Sequence, residues 1–80
     1  MKAIVNVFLK EGVLDPQGKA VHHALGSLGF DNVTDVRIGK QIVLQLDESD
    51  PVKARKELQE MAETLLANTV IEDYDIEIVE

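Results

Sequence analysis

The sequence contains no cysteine and no tryptophan, and it carries little positive charge. The missing cysteines exclude disulfides, thiolate metal ligands and cysteine nucleophiles. Only 8 of the 80 residues are lysine or arginine against 15 acidic residues, so the formal net charge is −7. Because nucleic-acid-binding domains gain much of their affinity from basic side chains against phosphates, this balance disfavours a DNA- or RNA-binding role.

Long apolar runs are also missing. No stretch approaches the roughly 20 residues that a membrane-spanning helix needs. The first residues, MKAIVNVFLKEG, have too short an apolar run for a signal sequence and carry Asn6 inside it. We therefore expect a cytoplasmic protein without a membrane segment. We also expect one domain, residues 1–80, with a thin core, since so short a chain buries only about 60–65% of its unfolded surface.

The apolar residues that are present alternate with polar ones in four segments, residues 2–9, 33–38, 41–46 and 74–79, which is typical of strands. Gly39-Lys40 is the expected turn between the second and third strands. Helices should begin at Asp15-Pro16 and Asp50-Pro51, because aspartate caps free amides and proline is tolerated at N1. The β-α-β-β-α-β order predicts an α+β fold of the ferredoxin-like type: an antiparallel four-stranded sheet with two helices on one face.

Each predicted helix has an apolar stripe that should face the sheet. The stripe of the first helix comprises Val21, Ala24, Leu25 and Leu28. The stripe of the second comprises Ala54, Leu58, Met61, Ala62 and Leu65. Gly29 followed by Phe30 predicts a left-handed stop of the first helix, and Asn68 can end the second helix in the same conformation.

The other face of the predicted sheet would be bare in a monomer. It would carry Ile4 and Phe8 from the first strand and Val43 from the third, two strands that are central in this fold. The polar residues around them are Asn6, Asp35, Arg37, Gln41 and Gln45. An apolar middle with a polar rim is how an interface is built, although isolated apolar residues are common on surfaces. The small size favours self-association, so Ile4, Phe8 and Val43 are predicted to form a homodimer interface.

No group of residues has the spacing of a catalytic or metal site. His22 and His23 are adjacent and point about 100° apart, which favours two solvated histidines over a chelating pair. The acidic residues near the C-terminus are Glu72, Asp73, Asp75, Glu77 and Glu80. Alternation sends most of them to solvent, which favours a soluble edge strand over a Mg²⁺ site. Neither serine has an acid–base partner at motif spacing. We predict no catalytic and no metal-binding residue.

Other proteins of this topology can be compared through their first loop and open sheet face. RNA-recognition domains need stacked aromatics, which Phe8 alone does not supply. Metal carriers need a cysteine pair in the first loop and acylphosphatase-like enzymes need an arginine there, and the sequence has neither. An amino-acid-binding regulatory module stays open as the alternative, because GVLDPQG (residues 12–18) has a passing likeness to its ligand loop.

Three segments together resemble the PurS family, the small subunit of phosphoribosylformylglycinamidine (FGAM) synthase. They are LKEGVLDPQGKAVHHAL (9–25), VTDVRIGK (33–40) and LLANTVIEDY (65–74), and the likeness runs essentially the full length of the chain. The resemblance implies a non-catalytic subunit of a glutamine-dependent, ATP-consuming ligase. In that complex a glutaminase (PurQ-type) subunit releases ammonia, and a synthetase (PurL-type) subunit adds it to formylglycinamide ribonucleotide. The small subunit bridges the two and assists ammonia transfer.

The resemblance also implies partners and contact residues. This chain should form a homodimer or a tetramer and bind the synthetase and glutaminase subunits. It should hold no cofactor, since ATP and Mg²⁺ belong to the synthetase subunit. The predicted partner-binding residues are Asp15, Gln17, Arg37, Lys40 and Tyr74. Asp15 is also favoured simply as a helix cap, and Arg37 and Lys40 also suit an ordinary charged turn, so a folding role stays open for these residues.

Overall fold

The computed structural model describes residues 1–79, which form three strands, two α-helices and one π-helical turn. The elements are β1 (Lys2–Leu9), α1 (Pro16–Ser27), β2 (Gly39–Gln45), α2 (Pro51–Met61), the π-turn (Ala62–Leu66) and β3 (Glu72–Val79). The strands form one antiparallel sheet in the order β2-β1-β3. The α+β class is therefore confirmed, but the sheet of the described residues has three strands instead of the predicted four. Glu80 lies outside the described residues.

The predicted second strand, residues 33–38, is not a strand. We call these residues the return segment, because they lead back from α1 to the sheet. Its backbone is bonded to the α1 region: the Val33 carbonyl lies 2.8 Å from Nε2 of His22, and the Ile38 amide donates to the Asp15 carboxylate at 2.8 Å. The side chains of His22 and Asp15 thus form hydrogen bonds with backbone groups that would otherwise pair with a neighbouring strand. This is the physical reason why the predicted strand does not form.

The predicted turn at Gly39-Lys40 is also wrong, because both residues belong to β2. Gly39 pairs with Phe8 and Lys40 pairs with Val7. Without a strand before it, β2 has no hairpin to close. It is consequently an edge strand of the described sheet, with β1 alone in the centre.

The starts of both helices and the end of α1 follow the sequence signals. The Asp15 carboxylate accepts from the Gly18 amide at 2.9 Å, and the Asp50 carboxylate accepts from the Val52 amide at 3.0 Å. At the end of α1, Gly29 has φ +94°, and the Phe30 amide donates to the Leu25 carbonyl at 3.0 Å. This is the left-handed stop expected there.

The core lies between one face of the sheet and α2. Ala3, Val5 and Val7 of β1 are fully buried, and from α2 and the π-turn Ala54, Leu58 and Ala62 are buried as well. The partly buried residues packed around this centre are Ile42, Leu44, Leu46, Met61, Leu66, Tyr74, Ile76 and Ile78. The core therefore joins all three strands to α2 and does not depend on α1.

The second apolar stripe leaves its predicted course at the π-turn. The Ala67 amide donates to the Ala62 carbonyl, five residues back, at 3.0 Å, so each turn holds an extra residue and the side chains rotate about the axis. As a result Leu66 packs against the core, whereas the predicted Leu65 is 82% exposed. Asn68 is not left-handed, since no non-glycine residue of the described chain has positive φ.

The first helix projects from the rest of the molecule. Of its predicted stripe only Leu25 is half-buried, while Val21 is 40% and Leu28 73% exposed. The radius of gyration is 16.0 Å, against about 12 Å for a compact chain of this length. The prediction that both helices cover one face of the sheet is therefore wrong: α2 covers it, and α1 with the return segment forms an arm.

Candidate functional site

Asp15 holds the base of the arm together. One carboxylate oxygen accepts from the Gly18 amide at 2.9 Å, and the other accepts from the Ile38 amide at 2.8 Å. The residue is 5% exposed, so little of it is left for another molecule. The structure thus gives Asp15 a folding role, which links the start of α1 to the start of β2. Its predicted contact with a partner stays a prediction.

These hydrogen bonds make the arm sensitive to acid. The backbone amides of Ile38 and Gly18, in that order, hold the pKa of the Asp15 carboxyl below its ordinary value of 3.8. A lowered folded-state pKa means that the stabilisation is complete above the unfolded-state pKa and is lost as the pH falls through the folded-state value. We expect the urea concentration at the midpoint of unfolding to decrease as the pH is lowered below about 4. Asp15→Asn should show a smaller decrease.

The measurement is a series of urea titrations at decreasing pH, with the exposed Asp35→Asn as the matched control. Asp15→Asn should also be less stable at neutral pH, because the NH2 group of asparagine replaces one of the two carboxylate oxygens that accept these backbone hydrogen bonds and can only donate. An unchanged acid dependence in Asp15→Asn would show that the ionised Asp15 carboxylate does not hold α1 and the return segment together.

Arg37 lies on the outer side of the same loop and is exposed. Its Nη2 donates to the Lys10 carbonyl at 3.2 Å and approaches the Leu9 carbonyl at 3.5 Å. The guanidinium therefore joins the return segment to the end of β1. A charged hairpin turn, one of the interpretations of this segment, is excluded by the course of the backbone. Arg37 keeps free donors for a partner, and that role stays a prediction.

Lys40 and Gln17 meet at a groove on the other side of the loop. The groove has a volume of about 420 Å³, and Asp15, Lys40 and Gln17 line it together with Phe8 and Glu72. Both Gln17 and Lys40 are exposed. The structure thus brings three of the five predicted partner-binding residues to one place, at the end of the sheet where the arm begins.

Tyr74 lies apart from this groove. It alternates with exposed acidic residues along β3, and its ring belongs to the core side of the sheet. Its hydroxyl donates to Oε1 of Glu63 at 3.1 Å, and partial burial together with that carboxylate raises the pKa of Tyr74 above its ordinary value. The side chain ties the π-turn to β3, so a folding role accompanies its predicted partner contact.

The open face of the sheet carries the three residues of the predicted dimer interface. Ile4 pairs with Val43 across β1 and β2, and Phe8 lies near the end of β1. Phe8 is 40% and Val43 51% exposed. However, Val43 lies on an edge strand and not on a central one. The self-association role of these residues stays a prediction.

A polar row crosses the middle of this open face. Asn6 donates to the Asp75 carboxylate at 2.8 Å and accepts from Nε2 of Gln41 at 3.1 Å. Asn6 was expected in the polar rim, but its position between Ile4 and Phe8 divides the apolar patch. The row spans all three strands. It follows that a partner on this face would meet two apolar areas with amides between them.

Two residues of the arm were missed by the sequence analysis. His22 is half-buried and hydrogen-bonded to the return segment. The prediction that both histidines are solvated is therefore wrong for His22. Gly18 is buried beneath Val36, whose carbonyl oxygen occupies the space that a side chain would need. Gly18 and His22 are four residues apart and share a face of α1. A glycine and a histidine at this spacing do not by themselves predict a packed segment, so these contacts could not be found from the sequence.

Metal-ligand grouping and the pairing of buried polar atoms can be checked across the described residues. Within residues 1–79 no three His, Asp or Glu side chains are grouped to hold a metal ion, and every buried side-chain polar atom has a hydrogen-bond partner. Ser27 donates to the His23 carbonyl, one turn back in α1. No helix in this part of the chain has the length and apolar character to span a membrane. The exposed side chains of the groove and of the open sheet face are available for contacts with another surface.

Comparison with known proteins gives one consistent relationship. Residues 2–80 match the family model PurS, described as phosphoribosylformylglycinamidine (FGAM) synthase. The chain is 54% identical over 79 residues to the FGAM synthase subunit PurS of Bacillus subtilis, covering 99% of this chain and 93% of the relative. It is 43% identical over 77 residues to the subunit PurS of Methanocaldococcus jannaschii, covering 96% and 93%.

Solved structures agree with the sequence match. The structure of B. subtilis PurS superimposes with a TM-score of 0.87 at 54% identity, covering 99% of this chain and 98% of that chain. A chain in the structure of PurLQS from Thermotoga maritima superimposes with a TM-score of 0.89 at 28% identity, covering 98% and 95%. The chain belongs to the PurS family of FGAM synthase subunits.

Proposed function

We propose that this chain is the non-catalytic bridging subunit of FGAM synthase in de novo purine biosynthesis. It contacts the glutaminase (PurQ-type) and synthetase (PurL-type) subunits and assists the transfer of ammonia to formylglycinamide ribonucleotide in the cytoplasm. ATP and Mg²⁺ are bound by the synthetase subunit and not by this chain. The observation that carries the proposal is the family match over residues 2–80.

The relatives support this assignment through their descriptions. The M. jannaschii protein is described as one of the subunits of formylglycinamide ribonucleotide amidotransferase in the purine biosynthetic pathway. The T. maritima chain belongs to the structure of PurLQS. Surface grooves, with no grouped metal ligands within residues 1–79, suit a subunit that positions others. Gln17, Arg37, Lys40 and Tyr74 are the side chains that we assign to these contacts, with Asp15 supporting the loop.

We further propose that the fold is a ferredoxin-like arrangement in which the return segment of the arm replaces the second strand. In a split βαβ fold the last strand and the third strand flank the first. The order β2-β1-β3 has the same arrangement, and the return segment occupies the chain position of the missing strand. Ile4, Phe8 and Val43 on the open face then provide a contact for a second copy, giving a homodimer.

The function is tested by reconstituting the three subunits. Leaving out this chain should abolish most glutamine-dependent FGAM synthesis, while synthesis from added ammonia by the synthetase subunit should fall much less, because free ammonia needs no transfer between subunits. The isolated chain should hydrolyse neither glutamine nor ATP. Equal loss with both nitrogen sources, or full glutamine-dependent activity without the chain, would contradict the bridging role. A thermal shift of the isolated chain with a free amino acid would instead favour a regulatory module.

A further inference from the structure

The outer edge of β3 has no neighbouring strand within residues 1–79. In an antiparallel pair, hydrogen-bonded residues alternate with residues whose backbone groups point away from the partner strand. The Lys10 amide donates to the Ile71 carbonyl at 2.9 Å, and the register continues this alternation along β1 and β3. The backbone groups that point inward to β1 are those of Asp73, Asp75 and Glu77. Those that point outward are those of Tyr74, Ile76 and Ile78. The edge can therefore receive a further strand.

The Ile76 carbonyl shows how little covers this edge. Nη1 of Arg55 donates to it from α2 at 3.4 Å, which is longer than the range of about 2.7–3.2 Å for a well-formed N–H···O bond. Arg55 is exposed, so its guanidinium can turn aside when a backbone amide approaches. An incoming strand would thus replace a long side-chain contact with a regular ladder bond.

The second helix overhangs the same edge and forms a groove with it, which we call the edge groove. Its lining residues are Val52, Arg55, Gln59, Tyr74, Ile76 and Ile78. Two depressions of about 480 Å³ and 700 Å³ lie along it. The first lies between Val52, which is 78% exposed, and Ile78, which is half-buried. An apolar side chain of a partner would have apolar neighbours on both sides there.

The other side of β3 carries an acidic row. Its exposed side chains, which lie on the open sheet face, are Asp73, Asp75 and Glu77. Lys10 lies 3.9 Å from Asp73, whereas Glu77 stands opposite the apolar Ile4. A strand added at this edge would place every second side chain beside the acidic row. Opposite charges on neighbouring strands attract each other, so basic side chains suit these positions.

A second copy of β3 does not suit this edge. Two β3 strands paired edge to edge in antiparallel fashion would bring their acidic rows side by side on one face of the sheet. Like charges directly opposite each other destabilise a strand pair. The net charge of −7 likewise favours a basic partner over another copy of this chain. The segment that fits the edge therefore belongs to a different chain.

We propose that the edge groove binds an extended segment of another protein chain, which joins the sheet as a fourth strand. Side chains of an added strand alternate between the two faces of the sheet. Those on the α2 side are apolar and enter the depression beside Val52, whereas those on the open face are lysine or arginine and lie beside Glu77. Such a segment belongs to one of the subunits that this chain bridges, so the assignment rests on the proposed function.

Amide exchange on the isolated chain tests strand addition directly. The probe is a blocked peptide of about seven residues, near the usual strand length, in which valine alternates with lysine. At saturating peptide the outward amides of Tyr74, Ile76 and Ile78 should exchange at least about tenfold more slowly, because they gain hydrogen bonds. The same peptide with glutamate in place of lysine should leave them unprotected.

Three results of this experiment would overturn the proposal. The first is that the lysine peptide gives the outward amides no protection. The second is that both peptides protect them equally, because the acidic row would then select no partner. The third is that these amides are already protected before any peptide is added, because a second copy would then fill the edge.

Two substitutions test the two faces of the added strand, each against a matched control. Val52→Asn makes the depression polar and should weaken binding of the lysine peptide about fivefold, whereas Val70→Asn changes a valine that is 82% exposed outside the groove and should leave binding unchanged. Glu77→Lys turns attraction into repulsion and should weaken binding about tenfold, whereas Glu11→Lys makes the same charge change in the exposed loop after β1. Unchanged affinity for both Val52→Asn and Glu77→Lys, with folding checked by circular dichroism, would contradict strand addition.

Reconstitution with the other subunits separates this proposal from the bridging function. In copurification, Glu77→Lys should retain less of one partner subunit than Glu11→Lys does, and equal retention would overturn the proposal. If the peptide protects the outward amides while omission of the chain leaves glutamine-dependent synthesis intact, strand addition stands and the bridging function fails. If omission abolishes that synthesis but the peptide gives no protection, the bridging function stands and strand addition fails.

Discussion

Gly18→Ala is expected to destabilise the protein by about 1–3 kcal/mol, as overpacking of a filled site does. A Cβ at residue 18 would overlap with the Val36 carbonyl oxygen, which is backbone and has little freedom to move. The same Cβ would approach the Asp15 carboxylate to 3.1 Å. The substitution therefore disturbs the two elements that anchor the arm, the cap of α1 and the return segment.

Gly26→Ala provides the matched control in the same helix. Nothing lies within 4 Å of a Cβ placed at residue 26, so the change should be neutral or stabilise the protein by up to about 1 kcal/mol, chiefly because alanine restricts the unfolded chain. Urea titration of both variants measures the difference. Equal stabilities would show that the return segment does not press on α1 at Gly18.

The Gly18 result also bears on how the arm and the core are coupled. The core joins the three strands to α2 and contains no residue of α1. We therefore expect Gly18→Ala to loosen the arm first, which would appear as faster amide exchange in residues 16–38 than in β1. The predicted coupling is local because the Asp15 hydrogen bonds lie within the arm, between α1 and the return segment, while the Arg37 side chain reaches only the carbonyls at the end of β1.

Local signals of the sequence correctly predicted the starts of both helices and the end of α1. Asp15 and Asp50 cap their helices and Gly29 stops α1 as expected, because these features depend on residues a few positions apart. The alternation of β1 and β3 likewise predicted which side chains face the core. The α+β class and the order of helices and strands followed from such patterns, with the return segment as the exception.

Features that depend on distant contacts were not predictable in the same way. The return segment alternates like a strand, but His22 and Asp15 take its backbone groups, and no pattern within 33–38 shows this. The π-turn changes the phase of the apolar stripe by one residue, which exchanges Leu65 for Leu66 at the core. The burial of α1 was predicted from an apolar stripe, yet a stripe does not reveal which molecule covers it.

For the candidate site, the sequence suggested individual contact residues but not their geometry. The motif around Asp15 and the pair Arg37 and Lys40 were predicted separately as partner contacts, and no pattern predicted that they lie close together. The structure divides their roles, because Asp15 is internal, Arg37 is bonded to backbone carbonyls and Lys40 is free at the groove with Gln17. This division shows which substitution tests partner binding without disturbing the fold.

Lys40→Glu is expected to reduce glutamine-dependent FGAM synthesis by about tenfold or more in the reconstituted complex, because an attraction to a partner becomes a repulsion. The stability of the isolated chain should change by no more than about 0.5 kcal/mol, since Lys40 is exposed and forms no ion pair within residues 1–79. Synthesis from added ammonia should fall much less, because that reaction bypasses the contact.

Two comparisons make the Lys40 result specific. Lys56→Glu makes the same charge change on the exposed side of α2 and should leave glutamine-dependent synthesis unchanged. Arg37→Ala removes donors to the Leu9 and Lys10 carbonyls. A loss of activity in this variant therefore indicates a partner contact only if its melting temperature is unchanged. A Lys40→Glu variant with normal melting and full glutamine-dependent activity would remove Lys40 from the contact surface. Equal losses for Lys40→Glu and Lys56→Glu would assign the effect to net charge, because long-range repulsion does not depend on the groove.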